Sequence, residues 1–291
     1  SFTCRRTVTV PGCGSLGCFA LNGTFPDIKA PNTVSNDYVV NQVTASSGGC
    51  LLTPNIDPGA PGPGASITQD DRYSQVVNLP FTFNFYGTNY NQLLISGNGY
   101  LCFDPSLAGQ FSHWSMTPGN VPNTSYDRGL AMGVFHDLDI SVTTSPTRQI
   151  KYETIGTTPG SRQFVVSFYK IPLFGSSCNN LFENTHQIIL YEGLNIIDVK
   201  VQSVQPCPSW NSGRKMIGLQ NFNRNKGIMA PGRTATGPAW GSVNMNEIWR
   251  FTPSGGNIAY RAVQLLDLSG AVVANGDTTR VDASTFSVNF P

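Results

Sequence analysis

The stretch Val76–Tyr86, VVNLPFTFNFY, decides the fold. In an extended chain successive side chains point to opposite faces, so Phe81, Phe83 and Phe85 share one side and Thr82 and Asn84 the other. That is a half-buried strand. Gly87-Thr88-Asn89 turns the chain, and Leu93–Phe103 (LLISGNGYLCF) reads as a hairpin around Gly97-Asn98-Gly99. An Asn-Gly pair there supplies the positive φ that a tight hairpin turn requires. Further along, Phe164–Phe174 (FVVSFYKIPLF), Gln187–Val204 with a turn near Glu192-Gly193, Met216–Phe222 and Glu247–Thr252 repeat the pattern. Helical periodicity behind a capping residue is missing throughout. Short strands with turn signals about every 8–12 residues predict an all-β fold. The expected architecture is an antiparallel β-sandwich with long Gly/Pro-rich loops.

Composition agrees with an exported β-protein. Charged residues make up 12% of the 291, against about 25% in an average domain, so Ser, Thr, Asn and Gln carry the polar surface. The net charge of +1 gives no general attraction to nucleic acid or to an anionic membrane. No apolar run is long enough to insert into a bilayer. Seven cysteines occur, at positions 4, 13, 18, 50, 102, 178 and 207. Cys13 and Cys18 have no second ligand pair at zinc spacing, so disulfides in an oxidising compartment are the better reading. Cys178 and Cys207 flank the Gln187–Val204 hairpin, and a bridge between them is expected. The pairing of Cys4, Cys13, Cys18, Cys50 and Cys102 stays open.

The organisation reads in four parts. Residues 1–11, with alternating Arg6–Val10, look like the last strand of a preceding module. Residues 12–49 form a connector ending in an extended stretch at Tyr38–Val43. Residues 50–254 make the sandwich, which carries the strap Asn55–Gly64 (NIDPGAPGPG), Pro or Gly at six of ten positions. Residues 255–291 start again after Pro253–Asn257, with a hairpin turn at Asp267–Gly270. They look like the opening strands of an immunoglobulin- or PKD-like module, so both ends would be partial immunoglobulin-like β modules.

Several motifs resemble a known family. The run Leu79–Asn98 (LPFTFNFYGTNYNQLLISGN) resembles the nidogen-like (NIDO) extracellular β domain. GVFHDLDIS (Gly133–Ser141), HQIILYEGLNIIDVKVQ (His186–Gln202), CPSWNSGRKMIGLQN (Cys207–Asn221), APGR (Ala230–Arg233) and EIWRFTPSG (Glu247–Gly255) are similar to modules of giant gliding-motility-associated adhesins exported by type IX secretion. The resemblance implies a module displayed on a bacterial cell surface, with flanking modules of its own chain, a filament or a homo-oligomer as partners. It implies no chemistry, because fold does not carry function.

Candidate sites are few. Asp137 and Asp139 lie two apart; on a strand they share a face and could hold Ca²⁺, which takes oxygen ligands. The alternative is that both end a strand and bond nearby backbone amides. Trp114, Trp210 and Trp240 sit in Pro/Gly/Ser/Asn-rich loops and form a carbohydrate platform if they cluster, although a Trp plugging the end of a sandwich is the commoner arrangement; Trp249, in an alternating strand, reads as core. The three histidines read as structural or surface residues, and no G-x-S-x-G elbow or other catalytic constellation is present. The leading expectation is a non-enzymatic structural or adhesive module without a resident cofactor. The rival is a lectin-like or calcium-dependent module binding a surface glycan.

Overall fold

The computed structural model describes residues 20–22, 37–43, 67–157, 159–160, 162–178, 183–254, 263–266, 272–280 and 286–289. The expected strand Arg6–Val10, the strap Asn55–Gly64, the break at Gly255–Asn257 and Cys4, Cys13, Cys18 and Cys50 lie outside the described residues.

In chain order the strands are β1 (Ala20–Asn22), β2 (Asp37–Val43), β3 (Val77–Phe85), β4 (Thr88–Ile95), β5 (Tyr100–Cys102), β6 (Leu130–Phe135), β7 (Gln149–Ile155) and β8 (Gln163–Pro172). They continue with β9 (Glu183–Tyr191), β10 (Ile197–Ser203), β11 (Met216–Gln220), β12 (Gly227–Met229), β13 (Glu247–Ser254), β14 (Val263–Leu266), β15 (Val272–Arg280) and β16 (Phe286–Asn289). Two six-stranded antiparallel sheets form the sandwich, ordered β2-β13-β10-β9-β8-β7 and β12-β11-β6-β5-β4-β3. The fold is all-β, as the alternation predicts. A smaller sheet, β1-β14-β15-β16, joins residues from before and after the sandwich.

The Phe-rich strand behaves as its period demands. In β3, Val77, Leu79, Phe81, Phe83 and Phe85 are buried while Asn78, Pro80 and Thr82 face solvent. Phe83 and Phe85 stack on Phe103, with ring centroids 6.0 and 4.6 Å apart. From the opposing sheet, Phe164, Val166, Phe168, Ile188, Leu190, Ile197, Val199 and Phe251 close the same core. Removing such surface from water at about 25 cal/mol per Å² is the main force holding the layers.

The second sheet is buried on its outer face as well. Tyr73, Leu94, Tyr100, Met116, Tyr126, Leu130, Met132 and Phe135 form a separate cluster beneath the segment joining β5 to β6. Polar anchors pin that segment down. Tyr73 donates to Asp127 Oδ2 at 2.6 Å, and Tyr126 donates to Gly119 O at 2.6 Å. Gln220 Oε1 accepts from Asn123 N at 2.6 Å while its Nε2 donates to Asp127 O at 3.0 Å. Cys102, a free thiol in this layer, is fully buried, and burial pushes it up to about 12.

His186 lies wholly inside the sandwich. Its ring stacks on Phe168 at 4.5 Å, and Nε2 faces Gly99 O at 3.3 Å. Two glycines make the room. A Cβ on Gly133 would stand 2.6 Å from the imidazole, and one on Gly99, at φ +83°, would stand 2.2 Å from Val134 O. His136 is also buried, and burial drives both imidazoles down, His186 to about 3. Below the unfolded value of about 6.5 the unfolded chain takes up a proton that the folded site refuses. His186 therefore contributes its full stability above about pH 6.5 and loses it as pH falls toward 3. The wild type's advantage in Tm over His186→Gln should shrink steadily between pH 7 and pH 4; a difference independent of pH contradicts this placement.

Candidate functional site

The β4–β5 hairpin turn builds the site. Asn98 sits at its tip, fully buried, and its amide is used on both sides. Nδ2 donates to Asp71 Oδ1 at 2.8 Å, and Oδ1 accepts from Leu138 N at 2.9 Å. Its backbone carbonyl accepts from His136 N at 3.3 Å, and Gly97 N donates to Arg72 O at 2.9 Å. Ser112 N donates to Asp71 O at 2.8 Å, which adds the loop carrying Trp114. One turn thus gathers three segments distant in sequence.

Three carboxylates meet there. Oxygens of Asp70, Asp71 and Asp137 lie within 4.8 Å of one another. Asp137 is buried, and its Oδ2 accepts from Trp210 Nε1 at 2.7 Å and from Asn211 Nδ2 at 3.4 Å. Burial raises Asp137 to about 8; the Trp210 bond opposes the shift, and the charges of Asp71, Asp70 and Asp139 add to it. Burial raises Asp70 to about 7, with Asp71 and Asp139 adding, and Asp71 is raised chiefly by burial. Asp70 Oδ1 is buried without a hydrogen-bond donor. Like charges this close favour a proton or a bound cation between them.

The expected Asp137–Asp139 pair is not the grouping found. β6 ends at Phe135, and beyond it Asp137 and Asp139 flank Leu138, which pairs with Leu173 in an isolated antiparallel bridge. Asp139 Oδ1 instead accepts from Ser141 N at 2.9 Å and Ser141 Oγ at 2.5 Å, closing its own turn. Asp70 and Asp71 escaped the sequence reading; their only local signal is the Asp-Asp doublet before Arg72, far along the chain from Asp137.

Aromatic side chains border the carboxylates. Trp114 and Trp210 stack with centroids 6.2 Å apart and planes 28° apart, and Phe174 packs against Trp210 at 5.0 Å. Phe111, beside Arg72 in an antiparallel bridge, is 55% exposed. Trp240 does not join them. It is buried, with Nε1 donating to Lys215 O at 3.1 Å and Arg233 over its ring at 5.0 Å. Its neighbour Lys215 is fully buried, and burial beside Arg233 lowers it to about 7. Trp249 is core. His113, half-buried, points Nε2 at Ser115 O, 2.9 Å away.

Residues 52–260 match the family described as NIDO related. The chain belongs to the NIDO-related family. The match supports the nidogen-like reading of Leu79–Asn98 and is consistent with a module of extracellular type. No curated protein and no solved structure matches this sequence. Among the described residues no helix is long and apolar enough to cross a membrane.

In this NIDO-related module a disulfide joins Cys178 to Cys207. It ties the loop of Phe174 and Gly175 to the loop of Trp210 and Asn211, and Ser209 Oγ lies 3.2 Å from Cys207 Sγ. Closing a loop across a separation of 29 residues contributes roughly 3–4 kcal/mol by restricting the unfolded chain. Replacing both cysteines by serine should remove about that much in chemical denaturation. It should also weaken the near-ultraviolet circular dichroism of the Trp114–Trp210 pair. An unchanged midpoint and spectrum would show that the bridge positions nothing.

Proposed function

We propose that this chain is an adhesive module of a large secreted surface protein, binding its target through the rim formed by Trp114, Trp210, Phe111 and the Asp70–Asp71–Asp137 carboxylates. The observation that carries this reading is the Trp114–Trp210 pair, fixed by the bond from Trp210 to Asp137 and left partly exposed. Indole faces held rigid before binding lose little conformational entropy on contact, which is why aromatic anchors dominate many interfaces. Ile67, Thr68 and Ile140, neighbours in sequence of the carboxylates, line a cleft of about 280 Å³. The motif likenesses to gliding-motility adhesins favour a bacterial cell surface reached by type IX secretion. The partners are then flanking modules of the same chain, further copies in a filament, and a surface ligand.

A calcium-dependent form of this reading, with a glycan as ligand, has one specific observation in its favour. Asp70 Oδ1 is a buried carboxylate oxygen with no donor, next to two more carboxylates. Calcium takes 6–8 oxygens, and Asp70, Asp71 and Asp137 would hold it. The ion would neutralise the crowded charges and offer open positions to sugar hydroxyls.

Binding to a glycan array and to whole bacterial cells, measured with calcium and with chelator, tests both levels. Wild type should bind, and the Trp114→Ala/Trp210→Ala variant should lose at least tenfold in affinity. Chelator and Asp71→Asn/Asp137→Asn should produce a similar loss. With free calcium at 100 times its dissociation constant, the wild type should gain about 2.7 kcal/mol in stability and the Asp variant nothing. Binding that survives loss of both tryptophans contradicts the rim; binding indifferent to chelator contradicts the calcium form alone.

A further inference from the structure

Strand register fixes at which end of the sandwich Asp37 and Ser254 lie. β2 starts at Asp37 opposite Ser254 and reaches Val43 opposite Ile248, so β2 begins where β13 finishes. At that same end β10 begins, with Ile197 opposite Phe251 and Leu190, and β8 begins, with Gln163 opposite Tyr191. The other end holds Pro172 opposite Glu183. There Leu138 bridges Leu173, Asp139 N donates to Pro172 O, and Phe174 N donates to Asp137 O. The carboxylates and Trp210 therefore lie at the end away from Asp37 and Ser254, separated by the length of β2, about 20 Å. The segments outside pair again in the same sense, Ala20–Asn22 against Gln264–Leu266.

We infer that the sandwich hangs as a pendant from its parent chain, its rim facing away, and that Tyr38 is the latch that keeps chain tension from peeling β2 off β13. The latch stands on strand register and side-chain contacts alone; only the outward role of the rim rests on the binding reading above. Tension applied at Asp37 and Ser254 acts across the ladder, along the direction of antiparallel hydrogen bonds. The rungs are then loaded one at a time, beginning at the outermost. Pulling along the strands would instead load all seven pairs together.

The outermost rung is held by an exposed ion pair, Asp37 Oδ2 with Lys226 Nζ at 3.0 Å, and the second carries the buried anchor. Tyr38 is the one fully buried residue of β2, whose pattern is otherwise exposed or half-buried. Its hydroxyl reaches Asn84 O at 3.1 Å and Asn195 O at 3.2 Å. Its ring packs on Phe85 at 5.8 Å and Tyr86 at 5.0 Å, and so locks β2 to the opposite sheet as well as to β13. Asn195 in turn fixes Asn84 N through its side chain at 2.9 Å. Once Tyr38 leaves, Val39 to Val43 keep their ladder bonds and the packing of half-buried Val40 on the core.

Single-molecule force spectroscopy on the full 291-residue chain tests this. Handles at positions 37 and 254 load the ladder across its rungs; handles at 37 and 247 load it along the strands. The first geometry should open at a force at least twofold lower. Tyr38→Phe, confirmed as folded by an unchanged far-ultraviolet circular dichroism spectrum and a cooperative thermal transition, should lower the opening force in the first geometry, while Gln42→Ala at the far end should leave it unchanged. Equal forces in the two geometries, or no effect of Tyr38→Phe, would overturn the inference.

Discussion

The arrangement depends on one buried amide. Asn98 spends its Nδ2 on the Asp71 carboxylate and its Oδ1 on the Leu138 amide, from a hairpin tip that only a following glycine at φ +83° can close. Removing the amide would leave a half-buried carboxylate and a buried backbone N–H without partners, each costing about 1–3 kcal/mol. Because those partners belong to different segments, the same bonds that complete the fold also place Asp71 beside Asp137. The site is therefore a by-product of closing the sandwich end, and the fold cannot relax without dispersing it.

The sequence made some of this plain. The Phe81, Phe83, Phe85 alternation, the Asn98-Gly99 turn and the β9–β10 hairpin all follow from period two and turn chemistry, and each is present. β6 was legible only as the strand leading into Asp137; its own alternation is absent, because all six of its residues are buried. Its outer face is covered by the β5–β6 segment, which erases the polar half of the pattern; two-sided burial makes a strand read as a bare apolar run. β12, three residues long, is too short for periodicity to show. The carboxylate site was half legible. Asp137 stood out, but its partners are chosen by long-range hydrogen bonds that no local spacing encodes. Trp240 illustrates the converse: a loop composition suggested exposure, and packing against Lys215 and Arg233 removed it.

Burial explains the electrostatics from end to end. In the interior it keeps His136 and His186 neutral and lowers Lys215. At the rim it raises Asp70 and Asp137, where neighbouring negative charge works in the same direction. The interior groups avoid charge through burial, whereas at the rim three carboxyl groups crowd one another beside partly exposed indoles. A surface held for packing alone has no need of that combination. Asp37 and Ser254 lie at the opposite end of the sandwich.

The central claim is that Asn98 brings the carboxylates and the indoles into one cation site. Terbium(III), which takes oxygen ligands as calcium does and luminesces when excited through a nearby indole, tests it directly. Titration under tryptophan excitation should give sensitised emission that calcium displaces. Trp210→Phe should weaken the emission, and Asp71→Asn/Asp137→Asn should abolish it. No sensitised emission from the wild type, or emission that persists in the Asp variant, would contradict the account.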